Sequence, residues 1–224
     1  MAGSTDRRTV VLGVIALALT GALLFGPGST VVSAYDFTVT PRTTGWSALP
    51  GGEFDMQTAW TGYATALQPY YNTSAFTTFC LQNNQYWTPG GTYFVTLSDQ
   101  TNHGDQQKLP SYAAYLFHVW NQGQLSQYRY SGSDQQRKED AGQLQKAFWY
   151  LMGKAPKPAD GTKAAAWLAL PYDGWTGIGN VRVMQLYDAN NGDHQDMLVE
   201  LVPEPSSLCL LALGALGLVR RRKR

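Results

Sequence analysis

Short runs of aromatic and β-branched residues, bounded by turn residues such as Pro50-Gly51-Gly52, fill much of the central chain. Runs of this kind are typical of β-strands. Between the last two runs, Asn190-Asn191-Gly192 is a sequence that favours a hairpin turn. The pattern predicts six strands, at residues 36–40, 54–60, 75–81, 92–97, 180–187 and 197–202.

Two segments in the middle of the chain place apolar residues at helical spacing instead. They predict helices at 112–122 and 134–152, the second with Ser133 as its N-cap and Gly153 after its last turn. A loop rich in Lys and Pro follows at 154–158. The whole pattern predicts a single, mainly β domain with two inserted helices, an α+β fold resembling a β-sandwich or β-barrel.

The N-terminal segment has the pattern of a secretory signal peptide. Arg7 and Arg8 precede an apolar run at 10–25, and the small residues Ser33 and Ala34 close the segment. We expect signal peptidase to cut between Ala34 and Tyr35, so that the exported domain begins at residue 35. The alternative is an uncleaved membrane anchor, and it also places the domain outside the cytoplasm.

The C-terminal segment is apolar from 208 to 219 and basic from 220 to 224. Twelve helical residues span about 18 Å, which is short against a hydrocarbon core of about 30 Å. Because basic residues favour the cytoplasmic side, the segment predicts a short transmembrane helix with the domain outside. An amphipathic surface helix is the alternative, but the segment has no polar face.

Just before this apolar segment lies Val202-Pro203-Glu204-Pro205. Residues 202–224 therefore resemble the PEP-CTERM sorting signal of exported Gram-negative proteins. The resemblance implies that an exosortase, a membrane-embedded enzyme similar to Cys transpeptidases, cuts near Pro203, Glu204 and Pro205. It also implies export through the inner membrane to the cell surface or to an extracellular polysaccharide matrix. The tail is also catalogued as a C-terminal domain of ice-binding proteins, but residues 35–201 contain no Thr-rich repeat that could form an ice-facing surface.

The charge distribution argues against a nucleic-acid partner. Residues 35–202 contain 10 Lys and Arg against 14 Asp and Glu, and the basic residues among them are not clustered. A nucleic-acid-binding domain needs a basic patch on its folded surface.

Cys80 and Gln145 are the candidate functional residues of the exported domain. Cys209 lies in the sorting tail, which leaves Cys80 without a disulfide partner in the mature domain. A buried structural thiol is the ordinary interpretation. Gln145 falls in an apolar stripe of the second helix, and a buried amide without partners costs on the order of 1–3 kcal/mol. Hydrogen bonds to a neighbouring strand would satisfy it, and so would reaction with Cys80.

Phe79-Cys80 followed by Gln145-x-Ala147-x-Trp149 resembles the thioester domains of bacterial surface adhesins. The resemblance implies a cross-link between the Cys80 sulfur and the Gln145 acyl group, open to attack by amines of a surface or matrix ligand. Ala147 and Trp149 would be supporting positions of the motif. This chain has Leu144 where the adhesin family usually has Thr, and Leu81 where an aromatic residue is common.

Other patterns predict little chemistry. The three His residues lack metal-ligand spacing, and neither a Gly-x-Ser-x-Gly motif nor a phosphate-binding loop is present. Asp188, Asn190 and Asp193 could offer oxygen ligands to Ca²⁺, although an ordinary polar hairpin explains them better. We therefore expect no cofactor and no enzymatic activity.

Two functions stay open on the sequence. The first is a covalent adhesin that acts through a Cys80–Gln145 thioester. The second is a non-covalent, structural or carbohydrate-binding component of a biofilm matrix in which Cys80 is merely structural.

Overall fold

The structure, a computed structural model, describes residues 37–48, 51–59, 75–102, 106–172 and 174–201. The chain divides into two units, Met1–Ser33 and Ala34–Arg224, and all described residues belong to the second. The predicted signal peptide with its Ala34–Tyr35 cut, and the sorting tail at 202–224, lie outside the described residues.

The described residues form one sheet of six antiparallel strands, in the order β3-β2-β1-β4-β5-β6. The strands are β1 (Phe37–Ala48), β2 (Gly51–Ala59), β3 (Ala75–Thr78), β4 (Tyr93–Ser98), β5 (Val181–Tyr187) and β6 (Met197–Glu200). The mainly β prediction is confirmed. The sandwich or barrel form is wrong, because the six strands form one open sheet, and only an isolated bridge after β3 reaches β6 at the other edge. The sequence pattern indicated where the strands lie, but it could not show that helices rather than a second sheet pack against them.

Three helices accompany the sheet: α1 (Ser111–Asn121), α2 (Asp134–Leu151) and α3 (Lys163–Leu168). The first two lie within one residue of their predicted bounds. α3 was not predicted, since six residues are too few to show a helical period. Its N-terminus is capped by Thr162, whose hydroxyl accepts a hydrogen bond from the Ala165 amide at 3.2 Å.

α2 is the longest helix, and its start is fixed by local chemistry. The Ser133 hydroxyl accepts from the Gln136 amide, and the Gln136 side chain accepts from the Ser133 amide, a reciprocal capping box. The buried face then runs through Ala141, Leu144 and Phe148, none of which is exposed to solvent. These contacts fix which side of α2 faces the protein interior.

The interior contains two apolar clusters. The helical cluster joins α1, α2 and α3 to Phe79 and Leu81, and the sheet cluster joins β1, β2, β4, β5 and β6 to Cys80 and Trp149. The segment that follows β3 therefore contributes consecutive residues to both clusters. Cys80 lies where the two meet.

Candidate functional site

Cys80 lies just beyond β3, where the chain pairs with β6 at the other edge of the sheet. An isolated antiparallel bridge joins Cys80 to Met197. On either side, the Leu198 amide donates to the Phe79 carbonyl at 3.0 Å and the Leu81 amide donates to the Asp196 carbonyl at 2.9 Å. Cys80 is a free thiol with no solvent exposure. Its backbone is fixed by this pairing, so the direction of its side chain is fixed as well.

Gln145 projects from the middle of α2 towards Cys80. It is 1% exposed, whereas the next residue, Lys146, is exposed to solvent. The Cys80 thiol donates to the Gln145 Oε1 at 3.1 Å, and the Cys80 amide donates to the same oxygen at 3.2 Å. The Gln145 Nε2 donates to the Cys80 carbonyl at 2.6 Å. The structure thus brings together two side chains that are 65 residues apart in sequence.

A second backbone amide approaches the same carbonyl oxygen. The amide of Gly52, at the start of β2, donates to the Gln145 Oε1 at 3.4 Å, a long hydrogen bond. Two backbone amides directed at one carbonyl oxygen are the arrangement that stabilises the oxyanion of an acyl-transfer intermediate. Both polar atoms of the Gln145 amide have hydrogen-bond partners as they stand, so neither is left unsatisfied without a covalent bond.

Gly51 and Gly52 are positions of the candidate site that the sequence did not reveal. A Cβ built on Gly51 would lie 2.5 Å from the Gln145 Cγ and 3.0 Å from the Trp149 ring. Gly52 has φ of 137°, a conformation that favours glycine. The sequence Pro50-Gly51-Gly52 predicted a turn, but its approach to α2 is a long-range contact that no local pattern reports.

Burial opposes ionisation of the thiol. It raises the pKa of Cys80 to about 12, and the neighbouring Trp149 indole works against this rise. The Trp149 Nε1 is buried and makes no hydrogen bond of regular geometry within the described part of the chain. At neutral pH the sulfur therefore carries its proton, so any reaction at Gln145 must first move that proton away.

The two supporting positions of the motif differ in their surroundings. Ala147 is fully buried in the helical cluster. Trp149 is 6% exposed and packs in the sheet cluster with Cys80. Trp149 thus covers the site, while Ala147 allows close packing of the helix that carries Gln145.

Two of the three candidate calcium ligands, Asp188 and Asp193, accept hydrogen bonds through their carboxylates. The Asp188 Oδ1 accepts from the amides of Asn190 and Gly192, each at 2.8 Å. The Asp193 Oδ1 accepts from the Asn102 side chain at 2.6 Å. Among the described residues, no group of three or more His, Cys, Asp or Glu is placed to hold a metal ion.

In the described ranges, no helix has both the length and the apolar character needed to cross a membrane. The predicted transmembrane helix at 208–219 and the proposed cut near Pro203, Glu204 and Pro205 lie outside those ranges.

Comparison with known proteins identifies the C-terminal segment. The family model of the PEP-CTERM protein-sorting motif matches residues 201–224. No curated protein and no solved structure matches the chain. This match supports neither the resemblance of the domain to thioester domains nor the ice-binding name of the tail. The chain thus carries a PEP-CTERM protein-sorting motif, which marks an exported protein that an exosortase sorts to the cell surface from a membrane-anchored precursor.

Proposed function

We propose that the exported domain forms an internal thioester between Cys80 and Gln145 and uses it to couple covalently to amine groups at the cell surface or in the surrounding matrix. The observation that carries this proposal is the position of the Cys80 thiol, 3.1 Å from a Gln145 carbonyl oxygen that also faces two backbone amides. In this proposal the protein is not an enzyme, because each molecule reacts once.

The chemistry balances without a cofactor. The Cys80 sulfur attacks the Gln145 Cδ, and the carbonyl oxygen becomes an oxyanion that faces the amides of Cys80 and Gly52. The intermediate then collapses, the C–N bond breaks, and the thiol proton leaves with the nitrogen as ammonia. A thiol and a primary amide thus become a thioester and one ammonia. Later attack by an amine forms an amide on Gln145 and restores the Cys80 thiol.

The sorting motif supports the setting of this proposal. A domain delivered to the cell surface meets amine-bearing ligands and polysaccharides outside the cell, where a covalent bond resists removal. Signal peptidase and an exosortase would be the processing partners. The C-terminal tail would hold the precursor in the membrane only until it is cut.

Methylamine labelling of the secreted domain tests the proposal. We expect methylamine to add to Gln145, as located by peptide mass mapping, and to release one free thiol at Cys80. The Cys80→Ala variant should take up none. Gln143→Ala is the matched control, since Gln143 lies on the same helix, is half-buried and precedes Gln145 by two residues. Labelling that persists in Cys80→Ala, or that never reaches Gln145, would contradict the proposal.

A non-covalent matrix component is the second candidate function. It is favoured by the hydrogen bonds that both polar atoms of the Gln145 amide already make and by the raised pKa of the Cys80 thiol, both of which suit an inert buried pair. Retention on extracellular polysaccharide separates the two functions. Equal retention of the wild type and Cys80→Ala favours the second function, and selective loss in Cys80→Ala favours the first.

A further inference from the structure

A buried ion pair next to the Gly51-Gly52 turn stands out from the other polar contacts of the domain. Glu53 follows Gly52 directly in β2 and has no solvent exposure. Arg137 donates from Nε to Glu53 Oε1 at 3.0 Å and from its terminal nitrogen to Glu53 Oε2 at 2.8 Å. The Tyr128 hydroxyl donates to the same carboxylate. All of these contacts are buried or nearly so, and they therefore have little competition from water.

The backbone of Glu53 is fixed as well as its side chain. The Glu53 carbonyl accepts from the Ser47 hydroxyl at 2.7 Å and from the Thr44 hydroxyl at 3.1 Å, both on β1. Arg137 is held in turn by the Tyr130 carbonyl, to which it donates at 2.8 Å. The residue after Gly52 is thus tied to β1 through its backbone and to α2 through its carboxylate.

This network joins β2 to α2, the same two elements that meet at the contact between Gly52 and Gln145. Arg137 lies on α2 about two turns before Gln145, and Glu53 lies one residue after the Gly52 amide that faces the Gln145 carbonyl. That hydrogen bond is long at 3.4 Å, and such bonds at reactive sites often shorten only when charge develops on the acceptor. A small shift of β2 against α2 would remove the donor.

We infer that Glu53, held by Arg137 and Tyr128, is a positioning residue that keeps the Gly52 amide on the Gln145 carbonyl oxygen and so promotes thioester closure; this inference rests on the proposed function. Stability alone is a weak reason for such a pair, because burying two charges costs free energy that their attraction often only offsets. Fixing one amide against one carbonyl gives the pair a chemical purpose.

α2, the helix that carries Arg137, also offers a matched control for the loss of a buried carboxylate. Asp140 is 1% exposed and accepts from Arg129 at 2.8 Å and from Lys163 at 2.6 Å. These partners lie in the loop before α2 and at the start of α3, so Asp140 has no part in the Gly51-Gly52 turn. Glu53→Gln and Asp140→Asn each remove one buried charge while keeping the shape of the side chain.

The test uses the full chain, followed from synthesis by pulse labelling and intact mass. We expect Glu53→Gln to slow the loss of ammonia by about a hundredfold, since displacing a positioned catalytic group by about 1 Å can cost that much. The Asp140→Asn variant should lose ammonia at the wild-type rate, even if both variants lose similar thermal stability. Equal slowing in the two variants would overturn the inference and leave Glu53 a structural residue.

A second measurement separates this inference from the thioester itself. In Cys80→Ala, which cannot close, hydrogen exchange at the Gly52 amide reports the contact with Gln145 directly. Adding Glu53→Gln should abolish its protection, and adding Asp140→Asn should not. Unchanged protection in both would overturn the inference whether or not the wild type closes. A wild type that never loses ammonia would instead contradict the proposed function.

Discussion

Cys80, the nucleophile of the proposed reaction, is held in a setting that keeps its thiol protonated. Its pKa is raised to about 12 because the sulfur is fully buried, while the two amides on Gln145 activate the carbonyl that it would attack. The site therefore pairs a weakly ionised thiol with a polarised amide. Slow closure during or after folding is the behaviour that this combination predicts.

The pH dependence of closure follows from the Cys80 pKa. Below that pKa the thiolate fraction rises about tenfold for each pH unit, so the closure rate should still be rising at about pH 9. A thiol of ordinary pKa would level off near that pH. Following ammonia loss of refolding chains across the pH range checks this. A plateau below about pH 9, with the protein folded throughout, would show that the thiol is not shielded as described.

Asp196 is a second residue whose ionisation is linked to the fold. Burial, with a smaller effect of Asp193, raises its pKa to about 7, and its Oδ1 is buried without a hydrogen bond in the described structure. In the unfolded chain this carboxyl returns to its ordinary pKa of 3.8. Between these values the folded state holds a proton that the unfolded state has lost, so the stability falls as the pH rises through about 7.

The corresponding variant removes this dependence. Asp196→Asn should raise the free energy of unfolding at pH 8 by up to the order of 4 kcal/mol, since the pKa of Asp196 in the folded state lies about three units above its ordinary value. It should also flatten the dependence of the free energy of unfolding on pH between about pH 4 and pH 7. Urea unfolding at a series of pH values measures this. Asp160→Asn, at a side chain 95% exposed, is the control and should change little. An Asp196→Asn protein as pH-dependent as the wild type would rule out this account.

At the scale of elements, the site depends on how closely β2 approaches α2. Gly51 permits that approach, because any larger residue would place its Cβ 2.5 Å from the Gln145 Cγ. The turn must then move away from the helix, or Gln145 must move away from Cys80. Either movement separates the Gly52 amide from the carbonyl oxygen.

Gly51→Ala should therefore abolish closure and lower the free energy of unfolding by about 1–3 kcal/mol, as overpacking of a buried site commonly does. Intact mass and urea unfolding give the two readouts. Gly91→Ala is the control: the nearest contacts of the added Cβ would be Thr88 and Tyr93 at 3.1 Å rather than Gln145 or Trp149, and closure should be unaffected. Normal closure in Gly51→Ala would mean that the turn does not define the site.

At the scale of the whole molecule, burial limits which amines can react. Cys80 is not exposed and Gln145 is 1% exposed, so a ligand would reach the proposed thioester only through local opening of the fold. We expect the folded domain to react with methylamine at least about tenfold faster than with a lysine-containing peptide. Denaturant at concentrations below the unfolding transition should bring the two reaction rates closer together, because it favours local opening. Equal rates in the folded protein would show that the site is open to large ligands.

The sequence was sufficient to predict α2 and the burial of Gln145, because the Ser133 cap and the apolar spacing are local signals. It also predicted which strands exist. It could not predict the open sheet, since the residue pattern of a strand does not show which element packs against that strand. The roles of Gly51 and Glu53 were missed for a related reason: their partners, Gln145 and Arg137, lie far away in sequence, at separations of 84 residues for the ion pair and 93 for the Gly52 contact.

The sorting motif was found from sequence because its parts are contiguous. Residues 201–224 match the family model, and this match establishes sorting to the cell surface independently of the chemistry at Cys80. The function of the domain itself is a proposal that depends on a single covalent bond.

Intact-mass measurement of the secreted, untreated domain tests that bond most directly. The account predicts a mass below the sequence mass of the processed chain by one ammonia, with the deficit absent from Cys80→Ala and from Gln145→Ala. Full sequence mass in the wild type, together with a free thiol at Cys80, would contradict it.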